Sequence, residues 1–218
     1  MKVAIAGASA VGRSIARELL SSGHHVLLLE RDPSRIDTSA IPTATWVYAD
    51  ACELDSLENA QLQTYDVVIA ATGDDKANLV VSLLAKTEFA VDRVVARVND
   101  PRNEWLFDES WGVDVAVSTP RMLASLVEEA VSVGDLVRLM TFRQGQANLV
   151  EMTLPSDTPL AGRTVSRLQL PRDTALVAIL RGGRVIVPQA DDPLEGGDEL
   201  VFVAHADVES DLRSAIVG

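Results

Sequence analysis

Val3–Gly12 reads VAIAGASAVG, and the prediction of the fold rests on this stretch. A short apolar run leads into a turn of small residues, and an apolar helical stripe that includes Val11, Ile15 and Leu19 follows at once. This order of strand, tight turn and helix is typical of the opening of a Rossmann unit. Ser9 stands where the second glycine of the G-x-G-x-x-G fingerprint normally lies.

The composition of this turn indicates an anion site. Gly7 permits the sharp turn, and Gly12 lets the helix approach the sheet closely. The first turn of a helix offers unpaired N–H groups and a partial positive charge, which together bind phosphates. The hydroxyl of Ser9 either donates to such a phosphate or its Cβ holds the ligand off. The alternative is a small-residue turn of an α/β domain that binds no nucleotide.

Glu30 supports nucleotide binding. It ends the predicted strand His25–Glu30, 18 residues after Gly12, where a Rossmann unit carries the acid that accepts both ribose hydroxyls. A 2′-phosphate at ~4 Å would be repelled by roughly 4 kcal/mol at an effective dielectric of about 20. NAD or an adenine nucleotide is therefore favoured over NADP, although Arg31 is able to turn toward a 2′-phosphate. The alternative is a surface charge at the end of a strand.

Three more predicted strand ends carry candidate ligand groups: Asp50, the pair Thr72 and Gly73, and Arg97. Ligands of open α/β sheets bind at the carboxyl ends of the strands. We expect Thr72 and Gly73 to present backbone groups to a ribose or phosphate, and Arg97 to reach phosphates with two N–H groups. The alternatives are an N-cap at Asp74 or Asp75 for the helix that follows, and an ion pair for Arg97.

Strand-like and helix-like patterns alternate through the first half of the chain, which predicts a doubly wound parallel sheet with helices on both faces. The predicted strands are Lys2–Ala6, His25–Glu30, Thr45–Tyr48, Asp66–Ala71, Arg93–Val98 and Val113–Val117. The predicted helices are Gly12–Leu20, Leu54–Gln61, Asp74–Thr87, Pro101–Ser110 and Pro120–Val133, with at most a brief helix within 35–45.

The pattern changes near Gly134, after which two hairpins predict a small α+β unit. One hairpin turns at Arg143–Gln146, and the other turns at Gly182 and Gly183, the dipeptide of primed turns. A last strand, Glu199–Ala204, and a terminal helix, Asp207–Val217, complete the unit. The domain prediction is residues 1–118, a connecting helix over 119–134, and residues 135–218.

Composition excludes several classes of function. The formal net charge of −13 disfavours nucleic-acid binding and direct attachment to anionic lipids. No apolar run approaches the ~20 residues of a membrane-spanning helix. The single cysteine, Cys52, precludes an internal disulfide framework and fits a reducing compartment, so we expect a cytoplasmic protein.

The sequence offers no catalytic set, and we predict that the chain is not an enzyme. His24, His25 and His205 have no partner at metal-site or catalytic spacing, and Cys52 has no basic neighbour in sequence. We expect no metal site. A cation at Asp191 and Asp192 is the alternative to a solvated acidic turn.

The ordered set of motifs resembles the RCK family over essentially the whole chain. The N-terminal (KTN, TrkA-type) motifs are GASAVGR at 7–13, LERD at 29–32, Asp50-Ala51, ATGDD at 71–75 with Asn78-Leu79, and VARV at 95–98. The C-terminal motifs are PLAGRT at 159–164, Leu168–Pro171, ILRGG at 179–183, IVP at 186–188 and GDEL at 197–200. The departure from the family pattern is Ser9.

The resemblance implies a cytoplasmic regulatory subunit that attaches at the inner membrane face to a potassium uptake protein and biases its conformation when nucleotide binds. It implies NAD or NADH as the ligand, with ATP or ADP as the alternative. It also implies homo-oligomers, or hetero-oligomers with a paralogue, joined through Pro120–Val133. The implied contacts are Gly7, Ala8, Ser9, Ala10, Val11, Gly12, Glu30, Asp50, Thr72, Gly73 and Arg97. Two functions stay open beside it: an NAD-dependent oxidoreductase and a ligand-sensing domain without a channel.

Overall fold

The computed structural model describes residues 1–131, 133–142 and 146–217. Contacts within the chain divide it into two compact units, Met1–Pro120 and Arg121–Gly218. No helix of the described residues is long and apolar enough to cross a membrane.

The first unit is built on a six-stranded parallel sheet in the order β3-β2-β1-β4-β5-β6. The strands are β1 Lys2–Ala6, β2 His25–Glu30, β3 Thr45–Tyr48, β4 Val67–Ala70, β5 Arg93–Val98 and β6 Val115–Ser118. The helices are α1 Ala10–Ser21, α2 Leu54–Asn59 and α3 Asp75–Thr87. This strand order is that of the Rossmann fold, so the predicted doubly wound sheet is confirmed.

Apolar side chains cover both faces of the sheet. Leu27 and Leu29 of β2 pack in one core, and Val26 and Leu28 pack in a second core on the opposite face. Because successive side chains of a strand point to opposite faces, a strand buried on both sides needs an apolar run rather than an alternation. This explains the continuous apolar sequence of β2.

The predicted helix from Pro101 to Ser110 is wrong. The segment forms two 3-10 helices instead, Pro101–Leu106 and Glu109–Trp111. The carboxylate of Asp108 accepts hydrogen bonds from the backbone N–H (2.9 Å) and hydroxyl (2.5 Å) of Ser110. Such local side-chain acceptors offer the backbone an alternative to an α-helix. Residues 35–45 likewise hold no α-helix, since the only helical turn nearby is the 3-10 helix Pro33–Arg35.

The second unit begins in α4 and contains a five-stranded antiparallel sheet in the order β10-β9-β11-β8-β7. Its elements are α4 Thr119–Val131, β7 Val137–Thr141, β8 Ala147–Thr153, β9 Thr174–Arg181, β10 Arg184–Ile186, β11 Glu199–His205 and α5 Glu209–Val217. Gly182 and Gly183 have φ of 55° and 75°, as the predicted primed turn requires. Of the other predicted turn, Arg143, Gln144 and Gly145 lie outside the described residues.

An ion pair fixes the acidic loop before β11. Asp198 is fully buried, and its carboxylate accepts from Nε (2.6 Å) and Nη2 (2.8 Å) of Arg181 and from the backbone N–H of Glu195 (2.8 Å). Arg181 also donates to the carboxylate of Glu195 (2.6 Å), which is 58% exposed. One guanidinium therefore serves a buried and an exposed carboxylate.

We predict that Asp198→Ala lowers the free energy of unfolding of the second unit by about 3–5 kcal/mol, because it leaves a half-buried guanidinium without its buried partner. The matched control is Glu195→Ala, which removes the exposed partner of the same guanidinium and costs under about 1 kcal/mol. Urea denaturation followed by circular dichroism measures both losses. Equal losses would contradict the prediction.

Candidate functional site

A cavity of about 240 Å³ opens at the carboxyl ends of β1, β2, β3 and β4, where the strand order of the sheet reverses. Six of the predicted site residues line it: Gly7, Ser9, Glu30, Asp50, Thr72 and Gly73. Five do not line it: Ala8, Ala10, Val11, Gly12 and Arg97. Apolar and small residues complete the walls, among them Leu29, Ala49, Ala51, Ala77 and Val81. The wall thus combines an apolar part with a few polar groups, as small-molecule sites do.

The two glycines of the first turn are required by close approach. Gly7 has φ +102°, and a Cβ built on it lies 2.9 Å from Cα of Thr72. A Cβ built on Gly12 lies 2.0 Å from the carbonyl oxygen of Gly7. Any side chain at either position would therefore displace backbone, which agrees with the roles predicted from the sequence.

The start of α1 provides unpaired hydrogen-bond donors beside the cavity. Ser9 is the N-cap of α1, which begins two residues before the predicted start, and its Oγ accepts from the N–H of Gly12 over a long 3.4 Å. Within the part of the chain that the structure describes, the N–H groups of Ser9, Ala10 and Val11 have no partner. Three free N–H groups and the positive end of a helix dipole suit an anionic group.

Glu30 clamps the glycine turn to the end of β2. Its Oε2 accepts from the backbone N–H of Ala8 (2.8 Å), and its Oε1 accepts from the backbone N–H of Asp32 (2.9 Å). The residue is only 6% exposed, so the alternative of a surface charge is excluded. Each carboxylate oxygen has a second lone pair, which leaves capacity for the hydroxyls of a ribose.

Asp50 connects the end of β3 to Arg31 and Cys52. Nη1 of Arg31 lies 3.5 Å from Oδ2 of Asp50, whose Oδ1 accepts from the backbone N–H of Cys52 (2.9 Å). Burial, followed by the charge of Asp50, raises the pKa of the Cys52 thiol to about 11. The thiol therefore stays protonated at neutral pH, which does not favour a role as a nucleophile.

The loop after β4 presents fewer unpaired hydrogen-bond donors to a ligand than the sequence predicted. The backbone N–H of Thr72 (2.9 Å) and its hydroxyl (2.6 Å) both donate to Oδ1 of Asn78. The N–H of Gly73 has no partner among the described residues, and a Cβ at this position would meet nothing within 4 Å. Gly73, rather than Thr72, therefore offers a backbone donor and open space to a ligand.

Asp74 and Asp75 have different roles at the start of α3. Asp74 is the N-cap, since its Oδ1 accepts from the N–H of Lys76 (2.9 Å), so this alternative is confirmed for Asp74. Asp75 is buried and accepts hydrogen bonds from Asn99, Asp100 and Asn103. Burial raises the pKa of Asp75, but these hydrogen bonds outweigh it and leave the pKa below its usual value. Asp75 therefore stays ionised.

The sequence motifs included Asn78 but assigned it no role, and the contacts of Asp75 were not foreseen. Asn78 is fully buried within α3, although the helical pattern places apolar residues on that face. An amide in the apolar stripe of a helix is the signal that was available, because buried polar side chains are almost always hydrogen-bonded. Its partners, Thr72 and Arg97, lie at the ends of two different strands, and the spacing of residues along the sequence did not predict them.

Arg97 lies outside the cavity wall. Its Nε is buried without a hydrogen-bond partner, and no ion pair to it occurs in the described residues. The alternative ion pair is thus absent from the described residues, whereas the contact of Arg97 with a phosphate stays a prediction.

The acidic side chains of the second unit were candidates for a metal site. The described residues contain no group of three or more His, Cys, Asp or Glu side chains arranged to hold a metal ion. Oδ2 of Asp192 accepts from the backbone N–H of Gln189 (2.8 Å), which gives that carboxylate a structural role in its turn.

The sequence matches two family models in chain order. The TrkA-N domain model matches residues 3–119, and the TrkA-C domain model matches residues 149–217. A protein of Mycobacterium tuberculosis (strain CDC 1551 / Oshkosh) described as "Trk system potassium uptake protein TrkA" is 70% identical over 217 residues. That alignment covers 100% of this chain and 99% of the relative. These matches confirm the resemblance that the motifs indicated.

Two solved structures are similar to the chain. A GsuK channel bound to NAD has a TM-score of 0.71 at 19% identity, covering 100% of this chain and 39% of that chain, and at this identity it shows the fold alone. The Shewanella denitrificans Kef CTD in its AMP-bound form has a TM-score of 0.51 at 28% identity, covering 60% of this chain and 80% of that chain.

We predict that Gly73→Ala changes the free energy of unfolding by under about 1 kcal/mol, because its Cβ enters open space and its φ is ordinary. Gly7→Ala is the matched variant, and it costs about 1–3 kcal/mol because φ is positive and the Cβ meets Thr72. Thermal denaturation of both variants measures the difference. A large loss for Gly73→Ala would show that this glycine is needed for folding rather than for space in the cavity.

Proposed function

Since the chain belongs to the TrkA family of Trk system potassium uptake proteins, we propose that it is a regulatory subunit whose Rossmann unit binds an adenine nucleotide. The observation that carries the proposal is the cavity at the carboxyl ends of β1 to β4, where free N–H groups of α1 lie beside the buried carboxylate of Glu30. Anion donors and a ribose-binding acid at this edge are the two parts that a nucleotide site requires.

The proposed ligand is NAD or NADH, with ATP or ADP as the alternative. Phosphate oxygens are bound by four backbone N–H groups, those of Ser9, Ala10, Val11 and Gly73. The hydroxyl of Ser9 adds a donor, because among the described residues its oxygen only accepts one long hydrogen bond, from the N–H of Gly12. Glu30 accepts from the ribose hydroxyls. AMP in the similar Kef structure supports an adenine nucleotide as the class.

Of the predicted contacts Asp50 and Arg97, the proposed site includes only Asp50. Asp50 lines the cavity at the end of β3, where it faces the adenosine half of the ligand together with the apolar wall. Arg97 is omitted, because its side chain does not line the cavity. Arg31 also lines the cavity, where its Nη1 lies 3.5 Å from Oδ2 of Asp50, and it is the group able to turn toward a 2′-phosphate.

The proposed partner is a membrane-embedded potassium transporter subunit, to which the chain attaches at the cytoplasmic face. Nucleotide regulates transport by binding more tightly to one arrangement of the subunits than to another, since a ligand shifts a conformational equilibrium only by its differential affinity. No chemical step is needed. The transport name of the 70% identical relative supports this role over an oxidoreductase.

The proposed contact between subunits is α4. Five of its apolar side chains are exposed in the single chain: Met122, Leu123, Leu126, Val127 and Val131. A contiguous exposed apolar face is a feature of protein interfaces. A second copy of this chain, or a paralogue, covers the face in the proposed assembly.

We predict that a calorimetric titration shows saturable binding of NADH or ADP and binding of NADPH that is weaker than that of NADH by about a hundredfold or more. The carboxylate of Glu30 repels the 2′-phosphate of NADPH. In Glu30→Gln the dissociation constants of NADH and NADPH should therefore differ by less than about tenfold.

Ser9→Ala is the second variant in that titration, because it removes the hydroxyl and keeps the Cβ. We expect it to weaken binding of the preferred nucleotide by about fivefold, the contribution of one hydrogen bond. The absence of binding by NAD, NADH, NADPH, ATP and ADP alike would overturn the proposed function.

We also predict that Leu126→Asp dissociates the assembly, because a charge in the buried centre of an apolar interface loses its hydration. Sedimentation velocity should show the mass of the variant fall toward the 23.4 kDa of one chain. Glu128→Gln, an exposed position on the same helix, is the control and leaves the mass of the assembly unchanged. Oligomers of unchanged size in Leu126→Asp would refute a role for α4 in assembly.

A further inference from the structure

Two buried side chains of α3 hold the loop that lines the cavity after β4. Oδ1 of Asn78 accepts from the N–H and hydroxyl of Thr72, and Nδ2 donates to the carbonyls of Thr72 (3.3 Å) and Arg97 (2.8 Å). Both donors and the acceptor of this amide are therefore used. The Thr72–Gly73 loop and the end of β5 are joined through one side chain.

Asp75 holds the segment that follows β5. Its Oδ1 accepts from the backbone N–H (2.7 Å) and Nδ2 (2.9 Å) of Asn99. Its Oδ2 accepts from the backbone N–H of Asp100 (3.0 Å) and from Nδ2 of Asn103 (2.8 Å). Four donors on one buried carboxylate fix the start of the 3-10 helix Pro101–Leu106 relative to α3.

Asn99 belongs to both sets of contacts. Its Nδ2 donates to the carbonyl of Thr72 (3.1 Å) as well as to Asp75 (2.9 Å). The neighbouring Gly73 carries the free N–H that faces a ligand. Any displacement of the Thr72–Gly73 loop on binding changes the distance from the Thr72 carbonyl to Asn99, and through Asn99 it acts on the segment that follows.

We propose that Asn99 is a positioning residue that transmits occupation of the nucleotide site from the Thr72–Gly73 loop to residues 99–106. This inference rests on the proposed nucleotide binding. It adds the contacts through which binding affects the segment that follows β5. The segment includes Trp105, 75% exposed on the surface, and it contacts β6, which runs directly into α4. The segment therefore contacts the strand from which the chain continues into α4, the helix of the proposed subunit contact.

The test is hydrogen–deuterium exchange of the full chain with and without ADP and NAD, each at saturation. Nucleotide should slow amide exchange in residues 99–106 by about fivefold, the effect of strengthening one hydrogen bond. Asn99→Ala keeps the backbone N–H bond to Asp75 and removes the link to Thr72, so the slowing should fall below about twofold while nucleotide still binds.

Asn103→Ala is the matched control, because it also removes one Nδ2 donor from Asp75 but contacts nothing in the ligand loop. The nucleotide-dependent slowing should persist in this control, whereas a merely structural role for Asn99 predicts equal effects of the two variants. Asn99→Ser removes the same donors with a small polar side chain, and it replaces Asn99→Ala if the circular dichroism spectrum of that variant changes.

Each outcome decides the inference. Equal slowing in the native chain and Asn99→Ala, or no slowing in a native chain that calorimetry shows to bind nucleotide, overturns the role of Asn99 and leaves the proposed function standing. A native chain that binds neither ADP nor NAD overturns both. Loss of slowing in Asn99→Ala alone, with binding retained, supports the inference.

Discussion

The site depends on the close approach of the chain at the end of β1 to the loop after β4. Gly7 has no side chain, so its backbone lies against Thr72 and Ala71, and a Cβ there would be 2.9 Å from Cα of Thr72. This contact joins the two strands at which the sheet order reverses. The start of α1 and the loop after β4 consequently form opposite sides of one cavity. Because backbone atoms make this approach, a second substitution elsewhere would not relieve the clash caused by a side chain at Gly7.

Buried carboxylates then hold the geometry that this approach creates. Each carboxylate oxygen of Glu30 accepts one hydrogen bond from the backbone, from Ala8 and from Asp32. The carboxylate of Asp75 accepts four hydrogen bonds. A buried charge is costly unless it is hydrogen-bonded, so such groups persist where several backbone donors converge. The same residues therefore position the loops and leave free N–H groups at Gly73 and in the first turn of α1. A site of this kind is ordered before the ligand arrives, which lowers the cost of binding.

The fold was predictable from the sequence because its signals are local. The apolar run of β2, the glycines at 7 and 12 and the acid at the end of β2 each follow from short-range rules. The missed features depend on which partner a polar side chain finds. In Pro101–Ser110 the carboxylate of Asp108 accepts from the N–H of Ser110, two residues further on, and two 3-10 helices form instead of an α-helix. The amide of Asn78 finds its partners on two other strands, and Arg97, which spacing assigned to the phosphates, lies outside the cavity wall.

A regulatory role adds one physical requirement to nucleotide binding, which is that the ligand must favour one conformation over another. The side of the cavity proposed to hold the adenosine carries Glu30 at the end of β2, a strand that is covered by core on both faces and has little freedom to move. The loop at Thr72–Gly73 differs, because amide side chains rather than packed apolar groups hold it. Hydrogen bonds of this kind exchange partners over short displacements, whereas a close-packed core resists them. In the proposed function, affinity for the nucleotide therefore resides mainly on the β2 side of the cavity, and the difference between two conformations resides mainly on the β4 and β5 side.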